Sequence, residues 1–215
     1  MDEVIIVAGG NRDLHHYRRL MSQSDENRFV IGVDEGADWL VRSGLQIDLA
    51  IGDFDSIDEE RLSAIKDRGV PTETFQAEKD QTDTELALMW ALDKKPRKVT
   101  IYGGLGHRFD HTFANIHLLW RSHMSNIPCE VIDPYNRVRL IDRPISMEGE
   151  FPYVSLIPFT QEVTGVTLTG FKYPLNNAVL RWGMTLGISN QLIAAKGRID
   201  LTEGVLLVIE SRDQF

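Results

Sequence analysis

Five short apolar runs, each closed by glycine or aspartate, constrain this chain more than any other feature. Val4-Ile5-Ile6-Val7-Ala8 ends at Gly9-Gly10, and Phe29-Val30-Ile31-Gly32-Val33 ends at Asp34. Leu49-Ala50-Ile51 ends at Gly52-Asp53, Val99-Thr100-Ile101-Tyr102 at Gly103-Gly104, and Cys129-Glu130-Val131-Ile132 at Asp133. Such runs are too short for helices, and their near-continuous apolar character suits strands buried on both faces. Helical patterns lie between them. Glu59 to Arg68 is closed by Gly69, and Thr84 to Lys94 carries Leu86, Leu88, Met89, Ala91 and Leu92 on one broad face. Phe109 to Arg121 sets Phe113, Ile116 and Leu119 or Trp120 at helical spacing. Trp39, Trp90 and Trp120 read as core residues of helices. Strands alternating with helices predict an α/β fold, a mostly parallel sheet flanked by helices.

The pattern changes near Arg143-Pro144. Phe151 to Ile157 reads as extended, and Val163 to Leu168 alternates Val, Gly and Leu with Thr. Leu180 to Met184, Gly187 to Ile193, Gly197 to Leu201 and Val205 to Ile209 are short strand-like pieces divided by Gly and Asn. With no helical period, this half predicts a small antiparallel β-sandwich or barrel. The expected domains are 1–143 and 144–215.

Charge and composition narrow the function. A net charge of -9 and a pI of about 5.1 disfavour a nucleic-acid partner, because an acidic surface repels a phosphate backbone. One cysteine, Cys129, makes neither an internal disulfide nor a cysteine zinc cluster. The start, Asp2-Glu3 before a short apolar run, is unlike a signal peptide, and no run approaches the roughly 20 apolar residues of a membrane span. The cytoplasm is the expected location, with no membrane association.

Open parallel sheets bind ligands beyond the carboxyl ends of their strands. Here polar residues gather at those ends: Asp34, Asp53, Asp55, the Gly103–His111 loop and Asp133. In an extended Asp53-Phe54-Asp55 the two carboxylates would lie on one side, roughly 6 to 7 Å apart, inviting a cation between them. Mg²⁺ favours carboxylate oxygens together with substrate phosphates. A solvated acidic turn is the plainer reading of that pair. Glu78 to Glu85 opens a helix. Thr82 or Asp80 can cap it, Asp83 and Glu85 suit its positive end, and Lys79-Asp80 immediately upstream suits a phosphate and metal station. In Gly103-Gly104-Leu105-Gly106-His107-Arg108-Phe109-Asp110-His111, three glycines let backbone N–H groups curl round an anion and Arg108 offers a planar fork to phosphate. The loop is neither a Walker motif nor the spaced dinucleotide fingerprint. His111 reads equally as a cap. The remaining histidines, His15, His16, His107, His117 and His123, show no metal-ligand spacing. Trp182 is either core or a stacking surface for a ring.

In this order the segments resemble the thiamine pyrophosphokinase family over nearly the whole chain. Asp34 with Gly36-Ala37 is similar to its Asp-Gly-Gly-Ala turn, with Glu35 where glycine is common. Gly52-Asp53-Phe54-Asp55-Ser56 resembles its acidic signature, and Lys79-Asp80-Gln81-Thr82-Asp83 its Asp-x-Thr-Asp element. Gly103 to His111 resembles its glycine-rich Gly-Arg-x-Asp-His loop, and Ser189-Asn190 its Ser-Asn pair, preceded by the similar stretch Gly170-Phe171-Lys172-Tyr173 to Leu180. The resemblance implies transfer of a diphosphoryl group from ATP to the hydroxyl of thiamine, with AMP released. It implies Mg²⁺ on Asp53, Asp55 and Asp83, with Asp34 and Asp80 close by. Lys79, Thr82 and Arg108 would contact phosphates within a nucleotide site that includes Gly103, Gly104, Asp110 and His111. Asp80 or Asp83 would serve as base. Ser189 and Asn190 would meet thiamine, with Tyr173 and Trp182 as further ring contacts. The second domain would bind thiamine and form a homodimer with the thiamine site between subunits. Two other readings are a metal-dependent nucleotide-sugar transferase, which leaves Asp80–Asp83 and Gly103–His111 unexplained, and a nucleotide-binding module without turnover.

Overall fold

The computed structural model describes residues 1–23, 27–54, 57–74 and 80–214. They divide into two compact units, Met1–Pro134 and Tyr135–Phe215.

In the first unit the five apolar runs are strands: β1 (Glu3–Val7), β2 (Arg28–Val33), β3 (Leu49–Gly52), β5 (Lys98–Tyr102) and β6 (Cys129–Ile132). A short strand, β4 (Thr72–Thr74), extends one edge, giving the order β4-β3-β2-β1-β5-β6. Every pairing in it is parallel. Five helices pack on it: α1 (Leu14–Gln23), α2 (Glu35–Arg42), α3 (Glu59–Asp67), α4 (Asp83–Asp93) and α5 (Phe109–Met124). Because strand side chains alternate, Ile5 and Val7 of β1 join Tyr17, Leu20 and Leu40 of α1 and α2 on one face. On the other face α4 packs along β1, β2, β3 and β5, and α5 packs along β6.

α1 was not legible as a helix, and α2 was marked only by the helical placement of Trp39. In α1 the buried set is His16, Tyr17 and Leu20, set among exposed basic residues, and Asp13 caps it by accepting from the His16 N–H at 2.7 Å. α2 carries Gly36 in its first turn for a steric reason. A Cβ there would lie 2.0 Å from the Val7 carbonyl oxygen, so the helix start rests directly on the β1 backbone.

α5 buries a different stripe from the one expected. Asn115, Leu118, Leu119 and Ser122 face inward, while Phe113 and Trp120 are exposed. Trp120 is therefore not a core residue; its ring stacks on His123 at 5.2 Å.

The second unit is all β. β7 (Asn136–Ile141), β13 (Leu206–Ser211) and β9 (Tyr153–Pro158) pair antiparallel in that order. β11 (Ala178–Arg181), β10 (Glu162–Thr169), β12 (Lys196–Asp200) and β8 (Ile145–Glu148) form a second antiparallel sheet. The two sheets enclose one apolar cluster, including Ile141, Val154, Leu156, Val163, Leu168, Leu180, Ile199 and Val208. This is the expected sandwich. The 187–193 piece is not a ladder strand. It is held by single bridges, Val154 to Asn190 and Phe171 to Leu192, and Ser189 takes a left-handed φ of 55° that a strand cannot continue through.

Candidate active site

The order β4-β3-β2-β1-β5-β6 reverses direction between β1 and β5, the switch point beside which open parallel sheets form their binding crevice. The loops after β1 and β5 touch through their backbones. The Gly10 N–H donates to the Gly103 carbonyl and the Asn11 N–H to the Leu105 carbonyl, both at 2.7 Å. A Cβ on Gly10 would lie 2.1 Å from the Leu105 carbonyl oxygen, so this approach requires glycine. Asn11 Nδ2 donates to buried Asp133 at 3.1 Å. The Tyr102 hydroxyl donates to the Asp13 carbonyl at 3.0 Å, and burial pushes that phenol up to about 12.

Next to this crevice, at the ends of β2 and β3 and the start of α4, three carboxylates converge. One oxygen each from Asp34, Asp53 and Asp83 lies within 4.8 Å of the others. The register explains two of them. Val33 pairs with Ile51, so the residues that follow, Asp34 and Gly52, lie side by side where the strands end. The bare Cα of Gly52 admits the Asp34 carboxylate: a Cβ there would sit 1.8 Å from Asp34 Oδ1.

Each acid is freed for the cluster by a neighbour or by its backbone. Asp34 holds the N-cap position of α2, yet its side chain caps nothing in that helix and accepts from the Phe54 N–H at 3.3 Å instead. Its backbone, at φ 46° and ψ -117°, lies in a region rarely entered by residues other than glycine, at a cost on the order of 1–3 kcal/mol. At α4 the Thr82 hydroxyl does the capping, accepting from the Glu85 N–H at 3.2 Å, and leaves the Asp83 carboxylate to turn to its neighbours. Burial, then the charge of Asp83, pushes the Asp34 carboxyl up to about 7.

A set of carboxylate oxygens under mutual repulsion, one of them partly desolvated, fits a hard divalent cation such as Mg²⁺. Asp34 is thus a direct member of the cluster with Asp53 and Asp83. Asp55 and Lys79 lie outside the described residues. The strand geometry expected for the acidic signature does not hold at its centre. Phe54 takes φ 57° because its ring is drawn into the cluster of Ala37, Ala50, Ile57 and Ile65.

The other sequence candidates fall as follows. Asp80 is exposed in the bend before α4. Gly103 and Gly104 are buried in the loop after β5. Gly103 has φ 71°, and the Gly104 carbonyl accepts from Asn115 Nδ2 at 2.7 Å. Arg108 precedes α5 without capping it, and its fork is engaged by Asp110 at 2.6 Å. That hydrogen bond holds the exposed Asp110 carboxyl down at about 2. His111 is exposed in the first turn of α5.

In the second unit Asn190 is buried, and its amide is committed to Tyr173. It donates to the Tyr173 carbonyl at 2.7 Å and accepts from the Tyr173 N–H at 3.0 Å. Ser189 is exposed, and its N–H donates to the Ser155 hydroxyl at 3.0 Å. Tyr173 and Trp182 present their rings to solvent, so Trp182 is not core.

The sequence reading passed over Arg12. Its Nη1 donates to the Glu35 carbonyl at 2.9 Å, and its guanidinium lies 5.8 Å from the Trp39 ring centre. The signal was available, since Gly9-Gly10-Asn11-Arg12 leaves a buried strand at its carboxyl end.

Comparison with known proteins identifies the family. The family model "Thiamin pyrophosphokinase, catalytic domain" matches residues 20–131, and "Thiamin pyrophosphokinase, vitamin B1 binding domain" matches residues 142–206. Thiamine pyrophosphokinase of Bacillus subtilis is 41% identical over 99% of this chain and 100% of its own length. The crystal structure of thiamine pyrophosphokinase from that organism superposes with a TM-score of 0.90 at 40% identity, covering 99% of this chain and 100% of that one. The structure of thiamin pyrophosphokinase from Geobacillus thermodenitrificans gives 0.85 at 35% identity, covering 99% and 98%. The yeast enzyme, at 15% identity and a TM-score of 0.80 over 98% of this chain and 86% of its own, shares the fold. The chain belongs to the thiamine pyrophosphokinase family.

Proposed function

We propose that this chain is a cytoplasmic, Mg²⁺-dependent thiamine pyrophosphokinase that transfers the β,γ-diphosphoryl group of ATP to thiamine. The observation that carries the reading is the convergence of Asp34, Asp53 and Asp83 beside the crevice of an open parallel sheet. The thiamine hydroxyl oxygen forms a bond to the β-phosphorus, the bond from that phosphorus to the bridging oxygen of the α-phosphate breaks, and AMP leaves with that oxygen. Asp34, Asp53 and Asp83, joined by Asp55, hold Mg²⁺, which when bound offsets the charge on the phosphate oxygens. The glycine-lined loop of Gly103 and Gly104 gives the nucleotide close backbone approach. Arg108 exchanges Asp110 for phosphate oxygens, since both partners are exposed and an anion can compete for the fork. Lys79 and Thr82 add phosphate contacts, and His111 lines the same mouth. Asp80 or Asp83 takes the hydroxyl proton. Most of the rate gain comes from positioning and charge, with no covalent intermediate on the protein.

Residues 1–143 form the catalytic domain in this reading, and 144–215 the thiamine-binding and dimerisation domain. Asn190 sets the Tyr173 backbone, while Ser189, Tyr173 and Trp182 meet the thiamine rings. A homodimer places that site between subunits. Supporting this, Trp182, Met184, Leu186, Ile188 and Ile193 are all exposed apolar residues of one stretch. No helix among the described residues is long and apolar enough to cross a membrane.

The test measures AMP from ATP and Mg²⁺ with and without thiamine, and thiamine diphosphate by fluorescence after oxidation. Thiamine-dependent AMP with thiamine diphosphate is the expected result. ADP in place of AMP, or ATP binding without either product, refutes the reading.

A further inference from the structure

Asp34 is the least relaxed residue of the acidic cluster; its own carbonyl accepts from the Ala37 N–H at 2.9 Å, and the peptide that follows it must be held as well. Asp34 has φ 46° and ψ -117°, and its carboxylate faces two others of like charge. Relaxation toward ordinary backbone angles would turn that carboxylate away from Asp53 and Asp83. The carbonyl of the next residue, Glu35, accepts from Arg12 Nη1 at 2.9 Å. Arg12 is itself well supported. Its side chain is only 15% exposed, its guanidinium lies over Trp39, and its Cγ is so close to Gly103 that a Cβ there would approach it to 3.0 Å. The arginine therefore links the loop after β5 to the start of α2. The Glu35 carboxylate is a weaker partner, 3.7 Å from Nη2 and half exposed.

We propose that Arg12 is a positioning residue for the cation site: by donating to the Glu35 main-chain carbonyl it fixes the Glu35–Gly36 peptide, the one that follows the strained Asp34 turn, and so helps keep Asp34 aimed at Asp53 and Asp83. Among the described residues Arg12 pairs with none of the three acids and acts through that following peptide. The inference rests on the reading of Asp34, Asp53 and Asp83 as cation ligands, but it concerns a residue outside that set.

The experiment titrates Mn²⁺ alone into the full-length protein without nucleotide, following free Mn²⁺ by electron paramagnetic resonance, and records Tm for each variant. Arg12→Met keeps the apolar stem over Trp39 and loses the donor, so Mn²⁺ binding should weaken at least about 5-fold, a shift on the order of 1 kcal/mol. Arg12→Lys, whose ammonium can still donate to the carbonyl, should recover part of that loss, which a purely structural role would not predict. Glu35→Gln keeps the carbonyl and should bind as the wild type does. Should Arg12→Met fail to fold, Arg12→Leu, which also lacks a donor, serves in its place with the same expected loss. Wild-type affinity in Arg12→Met or Arg12→Leu, or an equal loss in Glu35→Gln, overturns the proposal. A wild-type protein that binds no Mn²⁺ overturns instead the cation-site reading beneath it.

Discussion

Replacing Gly52 with alanine tests the acidic cluster while leaving every carboxylate in place. The added Cβ would lie 1.8 Å from Asp34 Oδ1 and 2.8 Å from Asp34 Cγ, whereas the main-chain N of Asp34 is 3.4 Å away. Gly52 also holds φ 159°, which an L side chain rarely adopts, so the methyl group adds backbone strain on the order of 1–3 kcal/mol, and the carboxylate must retreat by about 2 Å to reach ordinary contact. Its hydrogen bond from the Phe54 N–H, already 3.3 Å long, breaks. Losing it costs about 1 kcal/mol, or roughly 2–4 °C in Tm for a chain of this size. The effect on chemistry is larger. A misplacement near 1 Å at a site that works by geometry costs on the order of 100-fold in rate. Gly52→Ala should therefore retain its circular dichroism, lose roughly 5–15 °C in Tm from strain and the lost bond together, turn over at least about 100-fold more slowly, and need more Mg²⁺ to reach half its own maximal rate. Thiamine-dependent AMP release across a Mg²⁺ series, beside a thermal melt, measures all of these. Wild-type turnover at wild-type Mg²⁺ demand would refute a place for Asp34 in the cluster. Loss of the folded circular dichroism spectrum would mean that the backbone strain, not the displaced carboxylate, dominates.

Gly36→Ala is the contrasting case: its Cβ would meet the Val7 carbonyl oxygen at 2.0 Å, main chain against main chain, so urea unfolding should show a loss of several kcal/mol, about 3 or more. Tyr17→Phe should raise Tm by roughly 2–4 °C, because the Tyr17 hydroxyl is buried without a hydrogen-bond partner among the described residues and removing it relieves about 1 kcal/mol of desolvation; a lower Tm would contradict this. Lys98 Nζ lies 2.6 Å from Glu130 and 3.8 Å from Glu3, both buried acids, so Lys98→Met should cost about 2–3 kcal/mol in urea unfolding, and an unchanged midpoint would show that the two acids need no cation. Desolvation pushes the partly buried Cys129 thiol up to about 12, so at pH 8 it should react with an aromatic disulfide reagent far more slowly in the folded protein than after denaturation; equal rates would contradict this.

The parallel sheet was legible because strands buried on both faces carry apolar residues without interruption, and all five such runs became strands. The elements that escaped notice, in whole or in part, do not obey a single period. α1 mixes its buried Tyr17 and Leu20 with two histidines and two arginines. α2 opens with a glycine that its contact with β1 demands and that helix propensity opposes. β7 places Arg137 and Arg139 two residues apart on one face of the sheet, where Arg139 meets the buried carboxylate of Glu210 at 3.0 Å, a pairing that only the fold supplies. Gly187 to Ile193 misled in the opposite sense, since its apolar content reads as a strand while the left-handed Ser189 breaks any ladder. In the candidate site, Asp53 and Asp83 could be found from their positions after a strand and at a helix start. The direct membership of Asp34 depends on the register that sets it beside Gly52, and the role inferred for Arg12 depends on a carbonyl that sequence does not mark.

Two residues other than glycine take left-handed angles within the acidic loops, Asp34 at φ 46° and Phe54 at φ 57°, one after each of two neighbouring strands. Neither conformation is what its residue type prefers, and each costs free energy that the rest of the fold must offset. The offsets differ. Phe54 is anchored by burial, its ring packed with Ala37, Ala50, Ile57 and Ile65, so its turn is held by the core. Asp34 has no apolar anchor; it is held by its own backbone bonds, to the Ile51 carbonyl at 3.2 Å and from the Ala37 N–H at 2.9 Å, by the bond from the Phe54 N–H, by the space over Gly52, and by the grip of Arg12 on the following carbonyl. The two strained turns are also coupled, because the Phe54 amide that restrains Asp34 is itself oriented by the burial of Phe54. Damage to the core under Phe54 should therefore reach the cation site without touching an acid. Truncating Ile65, fully buried in that cluster, tests the chain of dependence: Ile65→Val should raise the Mg²⁺ demand of the reaction along with the modest stability loss, about 1 kcal/mol, expected for one methylene. An equal stability loss with an unchanged Mg²⁺ demand would show that the turn at Phe54 holds its angle independently of the packing beneath it.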